Sequence, residues 1–174
     1  ALRRTALAGG GAVEELLANL FKPRGLVVTD QHVYLSVASA PSKLQRLPLA
    51  GGSVEELGTA GEEAYDCARD ESSGEVFWVT RNPNWPYSGW VNQTSKDGST
   101  TDRLVPTQAK VSHVAIDATH VYWAFIDGVH RFRRDGSGVV ESVALAVATG
   151  ELIVNEEAVY VSDRLSGRIY RRDK

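Results

Sequence analysis

The stretch Val114–Gly136, VAIDATHVYWAFIDGVHRFRRDG, decides the fold. Two alternating apolar runs flank a polar turn at Asp117–His120, and a third run ends in Asp135-Gly136. Alternation carried by β-branched and aromatic residues is the mark of half-buried strands, and Asp, Asn and Gly between the runs mark turns. The same stretch recurs, in degraded form, along the whole chain.

The third run shows the recurrence most clearly. An aliphatic residue, any residue, then Arg or Gln precedes a small or Gly-rich turn. The copies begin at Leu2, Leu44, Val91, Val129 and Ile169, spaced 42, 47, 38 and 40 residues apart. They place Arg4, Arg46, Gln93, Arg131 and Arg171 at one repeated position. The middle run recurs as Val33-Tyr34-Leu35, Val76-Phe77-Trp78, Val121-Tyr122-Trp123 and Val159-Tyr160-Val161. Each middle run follows an apolar strand: Gly25 to Asp30, Ala64 to Asp70, His113 to Asp117 and Glu151 to Asn155. A fourth run follows each hairpin turn: Val13 to Leu17, Val54 to Leu57, Thr101 to Val105 and Val139 to Val143. A period near 40 residues with four short strands per unit is the pattern of β-propeller blades. The repeat units run over 1–42, 43–89, 90–127 and 128–167, with a partial unit at 168–174, in one domain. Ala12–Leu20 has helical spacing, but it copies Val54-Glu55-Glu56-Leu57, so repeat logic assigns it to a strand.

Composition narrows the function classes. Apolar content of 43% and charged content of 24% are ordinary for a globular domain. A net charge of -3 gives no electrostatic reason to expect nucleic acid. No apolar run approaches the roughly 20 residues of a membrane helix. The single cysteine, Cys67, lies in a strand pattern and is expected to be a buried hydrophobe. The chain has no methionine, so Ala1 is expected to be a processed or truncated start. An extracellular or cell-envelope location is the expectation that goes with a removed leader.

Asp117-Ala118-Thr119-His120-Val121-Tyr122-Trp123, followed by Arg133-Arg134-Asp135-Gly136, resembles the YWTD-type and NHL-like propeller repeats. Those repeats read roughly aliphatic-A-V-D, then V-Y-W-T-D, then I-x-R-x-x-L-D-G. Here Ala124 stands in place of the motif Thr, while Val159-Tyr160-Val161-Ser162-Asp163 keeps the closing Asp without the Trp. The resemblance covers essentially the whole chain and implies blades of four antiparallel strands. It also implies that loops between second and third strands, and between blades, form the binding face. Tyr34, Phe77, Tyr122 and Tyr160 are then expected to pack between blades. The repeated Arg and Gln are expected to hydrogen-bond neighbouring blades, with Asp30, Asp70 and Asp117 as partners.

First, second and fourth strands each occur four times and third strands five times. Such a chain either closes as a four-bladed ring with one strand in excess or forms part of a larger propeller. An open arc would need self-association or a partner segment to cover its faces.

The longest inter-strand loop is Arg81–Gly89, RNPNWPYSG, on the implied binding face. Arg81, Asn84, Trp85, Tyr87 and the adjacent Trp90 offer a stacking and hydrogen-bonding platform for protein or glycan. The alternative is that this loop folds back to cap its own blade. Arg24, Glu63 and His113 begin or precede first strands and are expected near the central axis. No catalytic set, metal-ligand spacing or cofactor motif occurs, and none is expected. The leading function is recognition of protein or glycan by one loop face. The alternatives are a lyase or hydrolase with an axial polar site, as in the virginiamycin B lyase-like branch of such repeats, and a segment of a larger propeller with no ligand site of its own.

Overall fold

The computed structural model describes residues 1–5, 11–82, 84, 88–107, 111–125, 128–143 and 149–174. Among them the chain forms seventeen strands in five antiparallel sheets. The first sheet has two strands, β1 (Leu2–Arg4) and β2 (Glu14–Leu17). The second has β3 (Pro23–Val28), β4 (His32–Val37), β5 (Ser42–Pro48) and β6 (Glu55–Ala60). The third has β7 (Glu63–Arg69), β8 (Val76–Arg81), β9 (Gly89–Thr94) and β10 (Thr101–Thr107). The fourth has β11 (His113–Ile116), β12 (His120–Phe125), β13 (Gly128–Arg133) and β14 (Glu141–Ser142). The last has three strands, β15 (Thr149–Val154), β16 (Ala158–Asp163) and β17 (Arg168–Asp173). Every sheet is an up-and-down meander in chain order, as the repeat predicts. The helical spacing of Ala12–Leu20 gives way to the strand β2. Gly51, Gly98 and Gly136 take φ of +85°, +74° and +78° in the hairpins before the fourth strands. Only Gly adopts that region without cost, which is why these turns are Gly-rich.

Blades pack face to face through four cores that follow the chain. Val33, Leu35 and Val37 meet Leu2 and Leu17 of the first sheet. Tyr34 and Leu44 meet Cys67, Val76 and Trp78 across the second interface. Phe77, Val79 and Val91 meet Val114, Val121 and Trp123 across the third. Tyr122, Ala124 and Val129 meet Leu152, Val159 and Val161 across the fourth. Alternation explains this, since a strand sends successive side chains to opposite faces and each inner blade has a core on both. Cys67 is buried, and burial followed by the charge of Asp66 pushes its thiol far above the ordinary range. It is a packing residue.

The repeated arginines act differently from the expectation. Arg4 and Arg46 do reach the next blade, bonding the carbonyls of Leu49 and Lys96. Their main partners, however, are carboxylates of their own fourth strands: Arg4–Glu14, Arg46–Glu55 and, further on, Arg131–Glu141, each at 2.7 Å. Gln93 bonds Glu75 of its own sheet. Two of the first-strand aspartates, Asp70 and Asp117, are held by a different cation, three residues after the repeated Arg. Asp70 pairs with Arg134 and Asp117 with Lys174, in each case one blade on. The reason is geometric: the repeated Arg sits inside its strand opposite its fourth-strand carboxylate, whereas Arg134 and Lys174 lie past the strand end, beside the aspartate of the preceding blade.

The two terminal sheets are not hydrogen-bonded to each other among the described residues. The outer face of the last sheet is open. Ile169 is 77% exposed, whereas its repeat counterparts Leu44, Val91 and Val129 are each 0% exposed. Leu26 is 53% exposed, against 5% for Cys67, 5% for Val114 and 7% for Leu152 at the same repeat position.

Candidate functional site

Strand register places the candidate residues at one edge of the blades. Glu63 pairs with Arg81, and Arg81 with Gly89, so these ends of β7, β8 and β9 lie side by side. Arg24 sits near the start of β3 and His113 at the start of β11, on the same edge.

Tyr65 is the centre of the first group. Its ring is partly buried against the core between the third and fourth sheets. The guanidinium of Arg81 lies 3.8 Å from the ring centroid and that of Arg24, from the preceding blade, 4.9 Å. The Tyr65 hydroxyl donates to Glu63 Oε2 at 3.3 Å. Burial lowers the pKa of Arg81; Glu63 offsets part of this and the positive charge of Arg24 adds to it. The site therefore holds two cations against one aromatic ring. The repeat explains their meeting: Arg24 and Tyr65 occupy the same position of consecutive first strands, which adjoin at the axis.

Trp90 stands beside this group. The Arg103 guanidinium lies 4.8 Å from its ring centroid. That guanidinium also donates to both oxygens of Glu62, at 3.0 and 3.1 Å. The backbone N–H of Asn84 donates to Asn82 Oδ1 at 2.9 Å, a local turn contact. Trp85 and Tyr87 lie outside the described residues.

His113 forms a group with two other carboxylates, Asp66 and Glu151. Its Nδ1 lies 3.6 Å from Asp66 Oδ2 and 3.5 Å from Glu151 Oε2. Asp66 also ties blades together, accepting from Cys67 N at 2.9 Å and Val114 N at 3.0 Å. No group of three or more His, Cys, Asp or Glu able to hold a metal occurs among the described residues. His32 and His120 repeat an identical arrangement, 6.2 and 6.0 Å from the rings of Tyr34 and Tyr122, which marks them as architectural.

A groove of about 960 Å³ lies at the opposite edge, where Asp70, Glu75, Asp117 and Arg134 line it. It contains the interblade pair Asp70–Arg134 and the carboxylate of Asp117, beside the local pairs Arg69–Glu71 and Arg133–Asp135, so it lies over a joint between blades. Sequence reading missed Tyr65, Arg103 and Asp66. Tyr65 was masked by its apolar strand, and the usable signal was its departure from the repeat: the position holds Arg24, Tyr65, Ser112 and Gly150 in successive blades.

No protein-family model and no curated protein matches the chain. Solved structures do. A chain of a nidogen/laminin complex superposes with a TM-score of 0.83 at 13% identity, covering 98% of this chain and 66% of that one. TolB from Acinetobacter baumannii gives 0.74 at 10% identity, covering 98% and 45%. The computationally designed Ika4 protein gives 0.69 at 12% identity, covering 91% and 95%. The chain thus spans less than two-thirds of the first natural relative and under half of the second. At these identities the likeness is one of fold, and the fold is the β-propeller, with repeats that resemble the YWTD type.

Proposed function

We propose that this propeller is a non-enzymatic recognition domain that binds a protein or glycan through the edge carrying Arg24, Tyr65, Arg81 and Trp90. The observation that carries the reading is the pair of cation–aromatic stacks, Arg81 on Tyr65 at 3.8 Å and Arg103 on Trp90 at 4.8 Å. Aromatic and Arg side chains standing together on an edge give large contact area at low entropic cost, the usual make-up of binding hot spots. The fold's occurrence in a nidogen/laminin complex is in keeping with a protein partner.

Arrays of peptides and glycans probed with the labelled chain test the reading. Trp90→Ala and Arg81→Ala should each remove most binding while thermal unfolding stays close to wild type. Binding that survives both substitutions would move the ligand surface elsewhere.

A second reading concerns assembly. The exposure of Ile169, at a position buried in every inner blade, favours an arc that is completed by a second copy or a partner segment, and Leu26 of the second sheet is likewise exposed where Cys67, Val114 and Leu152 are buried.

A further inference from the structure

We propose that Arg24, Tyr65 and Arg81 form a carboxylate clamp, and that the partner is a protein segment presenting an acidic side chain to it. The proposal rests on the recognition reading of this edge.

Most described arginines already have a carboxylate. Arg46, Arg103, Arg131 and Arg134 pair with Glu55, Glu62, Glu141 and Asp70. Arg24 and Arg81 form no ion pair among the described residues; a tyrosine ring holds them instead. Stacking occupies the flat face of a guanidinium and leaves its N–H fork free in the plane. That fork matches a carboxylate bidentately. Two cations sharing one ring repel each other, and Arg81 is also partly desolvated; Glu63, opposite Arg81 in the strand register, offsets part of this, and a further anion between the two guanidiniums offsets more.

The surroundings select the kind of anion. Glu62 and Glu63 flank the pair, and Asp66 and Glu151 lie further along the same edge around His113. A polyanion such as a polyuronate or a nucleic acid would bring repeated charges against these carboxylates. A single Asp or Glu side chain among neutral or basic neighbours would not. The alternation of positive and negative groups along the edge therefore fits a peptide of mixed charge.

The test uses a random-peptide array and a glycan array containing trigalacturonate, with the whole chain as probe. Bound peptides should be enriched in Asp or Glu at one position. Resynthesis of the best binders with Gln at that position should weaken binding about tenfold. Arg81→Gln and Arg24→Gln should cost a similar factor and be insensitive to the ligand's Glu→Gln change, the coupling expected of a direct pair. Arg81→Lys should fall between, since it keeps charge and loses the fork. Arg172→Gln, an unpaired arginine of the last strand, is the control and should bind as wild type. Arg24 is exposed, so its variant should fold even if Arg81→Gln does not. Trp90-dependent binding without acid preference would overturn the clamp and leave the recognition edge standing. Binding of trigalacturonate alone would replace the peptide with an acidic glycan and overturn the proposal. Loss of all edge-dependent binding would overturn both readings.

Discussion

Asp70 carries more of the architecture than its repeated place in the sequence reveals. Burial disfavours its ionised form, but hydrogen bonds from Ser72 and Arg134 outweigh burial and hold the carboxyl well below the usual range. Asp117 behaves alike: burial opposes ionisation, and Lys174, Thr119, Tyr122 and His120 overcome it. Its charge feeds back on Tyr122, which burial first and Asp117 second push up to about 12. A folded pKa below that of an unfolded aspartate, ~3.9, means stability that is fully present above pH ~4. That stability is lost as pH falls through the folded value. Asp70→Asn should therefore lower stability at pH 7 by about 1–3 kcal/mol, with the deficit shrinking steadily below pH ~4. Thermal unfolding of both proteins between neutral and strongly acid pH measures this. A deficit that stays constant across that range would mean the carboxylate contributes shape and not charge. That Asp70 and Asp117 join blades was legible from their repetition. Which cations they meet was not, because Arg134 and Lys174 lie just past the patterned strands, where no periodicity marks direction.

Strand identities were legible for a related reason. A run such as Val121-Tyr122-Trp123 alternates in a way only a strand uses, and four copies supply mutual confirmation, which is why Ala12–Leu20 was assigned correctly against its helical spacing. What the pattern hides is how closely the elements approach. Gly25 of β3 lies against β7, and a Cβ there would come within 2.5 Å of Cys67 N and 2.8 Å of Asp66 Cα. Both are backbone atoms, so the strands themselves would have to part. Gly25→Ala should cost about 1–3 kcal/mol and loosen the interface that seats Arg24 on Tyr65. Gly61→Ala, where no atom lies within 4 Å of the added carbon, should be neutral within about 0.5 kcal/mol. Urea unfolding of the two variants tests the contrast; equal effects would show that β3 can shift freely past β7. The candidate site was legible only in part at this scale. Arg24, Glu63, Arg81 and Trp90 follow from being at strand ends on one edge. Tyr65 and Arg103 sit within strands, where the pattern reads them as packing or solvated residues, and only the neighbouring blade reveals what they touch.

Four consecutive interblade cores build an arc whose outermost faces keep the chemistry of interiors. Ile169 is 77% exposed where Leu44, Val91 and Val129 are 0% exposed, and Ile153, two strands away in the same sheet, is 63% exposed. Fully burying a side chain of this size is worth about 1.5–3 kcal/mol, so a surface carrying two of them gains by being covered. The superposition on a larger propeller points the same way, because 98% of this chain accounts for only 66% of that one. The solution mass should therefore exceed 18.9 kDa and rise with concentration. Ile169→Glu and Ile153→Glu should return it to the monomer value, and should leave unfolding of the monomer nearly unchanged because both side chains already face solvent. The same change at Val129, the buried counterpart one blade earlier, should cost more than about 3 kcal/mol or prevent folding, since a carboxylate would enter an apolar core without a partner. A wild-type chain that remains at 18.9 kDa at every concentration would show that the open faces are tolerated, and the recognition edge would then have to work as part of a stable free-standing arc.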